Sequence, residues 1–361
     1  MSKHWNRRRG RPGLAVLRAL MVMLFVLLAA TPDGFAKSRS KRNHPVEAPV
    51  VAEQAPAGAN EASVDAAYVF VKGTGILRLQ DGAVTAVLPT QSALRDLQID
   101  HEGGLWASLR GTGVVRMVGG QAGNLNQESF AKLAIRSPSD VWTINDSHGS
   151  VVHYDGRRWK TVRTRNSLAG AFDDNRLVDI VSDGRSVWVS SWNGLWRVLA
   201  GRWTRVEPPP AAAADADTDP QAPPAYPLSL LVARPGLVAC YLAGCYLYAE
   251  SGWQASHWPV DKAHLQSAGA ANLLAGIGAD GRTVLTARLD GSGDASTSEL
   301  LPATGINDIA IDTSGRVWVA TGAELIILAA GGHTLARWKS DAGDIERVIV
   351  SGAGPAQLPG K

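Results

Sequence analysis

LQIDHEGGLWASLRGTGVVRM, residues Leu97 to Met117, holds an alternating apolar strand, an Asp-Gly turn, a strand carrying Trp106, a second Gly turn and a third strand. Alternation bounded by turn residues is the signature of a β-meander. The same order returns in LVDIVSDGRSVWVSSWNGLWRV (Leu177 to Val198) and INDIAIDTSGRVWVATGAELIIL (Ile306 to Leu328), and in shorter form in SPSDVWTINDSHGSVVHYDGRRWKTV (Ser137 to Val162). Recurrence of one such unit identifies a repeat architecture before any reactive group is weighed. Trp106 and Trp142 are 36 residues apart, Trp142 and Trp188 are 46 apart, and Trp188 and Trp318 are 130 apart. Four-stranded propeller blades take about 40 to 45 residues, so the long interval holds two further copies. SLLVARPGLVACYLAGCYLYAESGWQAS (Ser229 to Ser256) and NLLAGIGADGRTVLTARLDGSGDASTSEL (Asn272 to Leu300) fill it, the second with weakly marked outer strands.

A partial copy, YVFVKGTGILRLQDGAVTAVL (Tyr68 to Leu88), supplies three outer strands and lacks an innermost one. The segment IERVIV (Ile345 to Val350) is the strand expected to complete it. The expectation is an all-β, seven-bladed β-propeller over residues 63–352, with six blades as the alternative count. Its C-terminal strand would pair with the N-terminal blade, a closure that removes two exposed strand edges.

Arg7, Arg8, Arg9 and Arg11 precede a 12-residue apolar run, Ala19 to Ala30. A membrane-spanning helix needs about 20 residues, so residues 1–36 read as a secretory signal peptide cut near Lys37. Retention of that segment as an anchor is the alternative, and the only route by which a membrane becomes a partner. The leader carries six basic residues and one acidic, so its removal changes the formal charge from +3 to −2. That balance leaves no basic stripe for a nucleic acid. Residues 37–62, rich in Ala, Pro and charge, read as a flexible linker, 208–227 as a disordered Pro-rich insertion, and 353–361 as a tail. Export makes the periplasm or the exterior the expected location.

Trp106, Trp142, Trp188 and Trp318 occupy one repeat position, which is what packing between blades requires. Cys240 and Cys245 flank a hairpin turn in VACYLAGCYL, where a cross-strand disulfide is expected in an oxidising compartment. No second Cys pair or His cluster accompanies them, so no metal and no cofactor is expected. GIGADG (Gly276 to Gly281) satisfies GxGxxG but precedes a strand-like TVLTARL, and so reads as a turn. Asp215, Asp217 and Asp219 are followed by Pro220 where a calcium loop needs Gly. No nucleophile elbow or paired zinc-binding His occurs, which leaves an enzyme assembled from several blades as a secondary reading.

Irregularity concentrates on one face. The connectors Arg163 to Arg176, Glu207 to Tyr226 and Trp258 to Ala271 emerge there with the second-hairpin residues Arg110, His148, Trp192 and Asn193. Arg95, Asn175, Arg176 and Asn307 immediately precede the innermost strands and are expected to rim a central channel on that face. Loops on a rigid scaffold are where binding residues collect. These eight residues are the candidate ligand-binding set, Trp192 foremost because Arg110 and Gly322 stand at its counterpart positions. Packing of Trp192 on Trp196 is the structural alternative.

LQIDHEGGLWASLRGTGVV, VDIVSDGRSVWVSSWNGLW and NDIAIDTSGRVWVATGAEL resemble the two-component-regulator propeller repeat, with Arg110 and Ser191 replacing its usual Thr and Thr321 retaining it. The resemblance implies an exported bacterial propeller of the kind found in periplasmic sensor regions, where such repeats recognise ligands such as glycans. It covers three blades well. A likeness to streptogramin lyase would demand a His and Glu metal site in neighbouring loops, and only Glu324 and His148 stand near loops, in distant blades. The function expected is a sensor-like module binding a protein or carbohydrate through its loop-rich face, with a propeller hydrolase or lyase, or an envelope scaffold, as alternatives.

Overall fold

The computed structural model describes residues 66–351 apart from 129, 146, 148, 165–166, 169–175, 211–225, 234–235, 243, 257–265, 269–272, 279, 289–295 and 300–304. The expected leader, linker and tail, and all but the ends of the 208–227 insertion, lie outside the described residues.

Among the described residues the strands form seven four-stranded antiparallel sheets. Sheet one holds β1 (Ala67–Val71), β2 (Gly75–Gln80) and β3 (Ala83–Pro89). Sheet two holds β4 (Leu94–Ile99), β5 (Leu105–Leu109), β6 (Gly113–Val118) and β7 (Gln121–Asn126). Sheet three holds β8 (Lys132–Ser137), β9 (Asp140–Asn145), β10 (Ser150–Tyr154) and β11 (Trp159–Thr164). Sheet four holds β12 (Leu177–Ser182), β13 (Ser186–Ser191), β14 (Gly194–Leu199) and β15 (Arg202–Val206). Sheet five holds β16 (Ser229–Ala233), β17 (Gly236–Tyr241), β18 (Gly244–Ala249) and β19 (Gly252–Ser256). Sheet six holds β20 (Gln266–Ala268), β21 (Leu273–Ile277), β22 (Thr283–Arg288) and β23 (Ser296–Glu299). Sheet seven holds β24 (Asp308–Ile311), β25 (Val317–Thr321), β26 (Glu324–Leu328) and β27 (Thr334–Lys339). The last strand, β28 (Ile345–Val350), completes sheet one by pairing with β1, with Val348 opposite Val69.

One reading of the sequence is corrected here. Leu273–Ile277 is the second strand of its sheet, and the first strand, Gln266–Ala268, lies inside the stretch read as a connector. Three residues without a marked apolar alternation leave too faint a pattern to be seen as a strand.

The second strands β5, β13 and β25 are buried along their whole length, whereas β7 and β27 are largely exposed. Both faces of a second strand meet protein, because sheets stack face to face and each is covered on two sides. Ala107 and Leu105 pack toward Phe70 and Ile76 of sheet one, while Trp106 packs toward Leu133 and Val141 of sheet three. Trp142, Trp188 and Trp318 likewise fill the contacts of sheets three with four, four with five, and seven with one. The packing role expected of these four tryptophans is what the structure contains.

Each tryptophan also carries a polar anchor. The Trp106 indole N–H donates to Asp100 Oδ2 at 2.8 Å, Trp188 to Asp183 Oδ2 at 3.0 Å, and Trp318 to Asp312 Oδ2 at 3.1 Å. The other oxygen of each carboxylate accepts turn amides, from Gly104, Ser186 and Arg316 among others. One Asp therefore closes the turn and orients the ring. Burial pushes the Asp100 carboxyl up, but the Trp106 indole, the Gly104 amide and the Arg116 guanidinium outweigh it and hold the group below its ordinary range.

Candidate functional site

The first strands of consecutive sheets lie side by side, with β28 next to both β24 and β4. On three of them the residue ahead of the first buried apolar side chain is a buried aspartate: Asp96, Asp179 and Asp308. Each carboxylate accepts a backbone N–H from the first strand of the following sheet. Asp96 takes Leu133 at 2.7 Å, Asp179 takes Leu230 at 2.8 Å, and Asp308 takes Val348 at 2.9 Å. At the matching position sheet one places Arg347 and sheet three places Lys132. Arg347 lies 3.3 Å from Asp96 and 3.6 Å from Asp308, and Lys132 lies 3.9 Å from Asp179.

Local backbone irregularity aims these groups. The ladder skips a residue between Leu94 and Asp96 and between Leu177 and Asp179, and it shifts where Arg347 pairs with Phe70. A bulge of this kind bends a strand and re-aims the next side chain. Burial pushes the Asp179 carboxyl up; Lys132 and the Leu230 and Ile180 amides pull against it, and the Asp96 charge adds to the rise. Around Arg347, Asp308 first and then Asp96 favour the charged guanidinium against the cost of its burial. These groups are links between sheets, each carboxylate holding a backbone amide of the following sheet and facing a cation.

This feature was missed from the sequence, although LRDL, LVDI and NDI place an aspartate at one repeat position. Attention to the turn aspartates, which recur more visibly, hid it.

Those of the expected binding residues that are described divide among sheets two, four and seven. Arg95 is the bulged second residue of β4, one position inside the strand rather than ahead of it. Arg110 is exposed at the tip of the β5–β6 hairpin, its N–H bonded to Ala93 O at 2.9 Å. Asn307 donates its side-chain amide to Ile345 O at 2.8 Å, tying the entry of β24 to that of β28. Asn193 is buried and donates to Leu168 O. His148 and Asn175 lie outside the described residues.

Among the described residues, Arg176 and Trp192 come together. The Trp192 N–H bonds to Arg176 O at 2.9 Å, and the Arg176 guanidinium lies 4.8 Å from the Trp192 ring centroid. Tyr226 stands 6.4 Å from the same ring, centroid to centroid. Trp192 occupies the β13–β14 hairpin, and the β17–β18 hairpin of the next sheet emerges at the same end. At its tip Leu242 is 82% exposed, and Leu228, entering β16, is 38% exposed. A cation stacked on an indole near a tyrosine, with two exposed leucines on the next sheet, puts apolar and aromatic surface on the loop-bearing end.

Cys240 and Cys245 are directly opposed on β17 and β18, with their sulfur atoms 2.07 Å apart in a disulfide. Together they cover Leu274 of the next sheet, in a contact with few large side chains. Among the described residues, no group of three or more His, Cys, Asp or Glu side chains is placed to hold a metal ion, and no helix is long and apolar enough to cross a membrane.

No family model matches the chain, and no curated protein matches it. Solved structures do. Apo AztD from Citrobacter koseri is 10% identical over 80% of this chain and 98% of its own, with a TM-score of 0.54. A catalytically inactive virginiamycin B lyase from Staphylococcus aureus with quinupristin is 14% identical over 69% of this chain and 85% of its own, with a TM-score of 0.51. The extracellular domain of a hybrid two-component system from B. thetaiotaomicron is 14% identical over 68% of this chain and 33% of its own, at a TM-score of 0.46 too low to argue from. At such identities the likeness is one of fold alone. The chain is an all-β protein of four-stranded antiparallel sheets, similar in architecture to β-propellers.

Proposed function

We propose that this chain is an exported, closed seven-bladed propeller that binds a protein partner through its loop-bearing end. The blade count rests on the seven sheets, and closure on β28, which pairs with β1 while lying beside β24 and β4. Export rests on the basic and apolar leader and agrees with a disulfide, which persists in oxidising compartments.

The observation that carries the binding role is the Trp192 and Tyr226 pair together with exposed Leu228 and Leu242 on the next sheet. Leu242 at 82% exposure on a hairpin tip contributes little to folding, and exposed apolar groups beside a braced aromatic are the usual anchors of an interface. Arg176 covers one face of Trp192, which favours contact with a protein segment over the open stacking platform that a sugar ring would use.

A photocrosslinking amino acid placed at Leu242 is expected to yield a discrete adduct with one cellular protein, and Trp192→Ala to abolish it. The same label at Leu335, exposed on an outer strand, is the control. Equal adducts from the two positions would defeat the proposal. An oligosaccharide that raises the melting temperature of the parent, and not of Trp192→Ala, would assign the end to carbohydrate instead.

A further inference from the structure

The outer halves of sheets four and five enclose a cleft of about 480 Å3, lined by Arg197, Arg202 and Thr204 on one side and by Tyr248 and Trp253 on the other. That volume falls within the range of small-molecule sites. Register places the first wall on one face: Arg197 pairs with Thr204, and Leu199 with Arg202, across β14 and β15. Glu207 closes the rim, and its carbonyl accepts the Trp253 indole N–H at 2.7 Å, which holds that ring in place. Tyr248 lies against Trp253 at 4.9 Å between centroids.

Comparison with equivalent positions in the same chain shows why the cleft is cationic. Arg116 of sheet two stands where Arg197 stands in sheet four, opposite the blade tryptophan. Arg116 reaches Asp100 at 2.8 Å and Glu102 at 3.1 Å, so its charge is balanced twice. In sheet seven the turn residue Arg316 supplies the cation to Asp312. In sheet four Ser186 occupies that turn position, and the Arg197 Nε donates to Ser186 Oγ at 2.9 Å. The guanidinium lies 5.0 Å from the Trp188 centroid, braced and aimed, yet among the described residues neither Arg197 nor Arg202 makes an ion pair. A fixed planar guanidinium is the side chain best matched to an oxyanion.

We infer that this cleft between sheets four and five binds a small organic anion in which a carboxylate or phosphate is carried on a ring. Arg197 and Arg202 take the oxyanion, and the Tyr248 and Trp253 wall packs the ring. The cleft lies on the outer strands, away from the hairpin cluster of Trp192, and does not depend on the reading of that end. A related but smaller cleft between sheets one and two, about 390 Å3, repeats the arginine and threonine as Arg78 and Thr85. There the facing wall is Gly103, Leu105, Met117, Gly119 and Gly120, and the one lining ring, Tyr68, stands on the arginine's own sheet opposite Arg78, so no ring faces the cation across the cleft. It supplies the internal control.

Titration calorimetry on the full chain tests this with four probes: phenyl phosphate, benzoate, inorganic phosphate and phenol. Saturable one-to-one binding of phenyl phosphate or benzoate is expected, with inorganic phosphate and phenol each weaker by about tenfold or more. Saturation by only one of the two ring anions would name the oxyanion. Arg202→Ala, an exposed position outside the core, is expected to weaken binding about tenfold, Arg197→Gln by at least as much, and Arg78→Gln to leave it unchanged. No saturation by either ring anion, phosphate alone binding as well as phenyl phosphate, or an Arg202→Ala chain binding like the parent would each overturn the assignment.

Discussion

Asp100, Asp183 and Asp312 each do two things with one carboxylate, and the pairing of roles sets what substitution at these sites should cost. One oxygen closes the turn, the other receives the indole of the tryptophan that fills the next contact between sheets. Trp106→Phe keeps most of the ring volume but takes the indole donor from a buried carboxylate oxygen, which retains Arg116. Urea unfolding should register a loss of about 1.5–3 kcal/mol, the range for a hydrogen bond to a charged group. The Asp100 carboxyl has a folded pKa below its unfolded value, so its contribution is fully present above about pH 4 and is lost as pH falls through the lowered folded value. Asp100→Asn should therefore flatten the acid limb of a stability–pH profile measured from pH 7 to pH 2; an unchanged slope would assign that limb to other carboxylates.

Single strands carry the links between sheets. β4 delivers Asp96 to both the Leu133 amide and Arg347, and the bulge at Arg95 is what turns it there. Asp96→Ala strips a buried amide of its acceptor and leaves Arg347 facing Asp308 alone. We expect a loss of about 3 kcal/mol, in the range for breaking a buried charged pair, read as a lower denaturant midpoint at unchanged slope. In sheet five the hairpin of β17 and β18 is stapled by Cys240 and Cys245, five residues apart. Closing so short a loop restrains the unfolded chain only modestly, by about 2 kcal/mol on the chain-entropy account. Replacing both cysteines by Ala should shift the unfolding midpoint accordingly and add nothing to the effect of reductant.

Removal of β28 is the perturbation that belongs to the whole molecule. A chain ending at Ser340 exposes the edge of β1 and takes Arg347 from Asp96 and Asp308. It should self-associate in concentration-dependent size exclusion and lose its single cooperative melt, since an open sheet edge pairs with copies of itself. A monomeric truncation with an intact transition would remove the case for closure. The repeat, the sheet type, the four packing tryptophans and the last strand were all legible in order along the chain, because period-two alternation and Asp-Gly turns are local properties that survive without neighbours. Sheet six was misplaced by one strand for the converse reason, as Gln266–Ala268 carries no alternation to read. Whether an arginine is balanced or left to face a cleft was decided only in three dimensions. Arg116 and Arg197 hold the same repeat position, and Gly104 or Ser186 at the start of the neighbouring strand determines whether the guanidinium reaches a carboxylate. Such a charge depends on distances between segments that sequence spacing does not contain, so the sequence by itself determined the architecture, and tertiary structure decided where its chemistry is exposed.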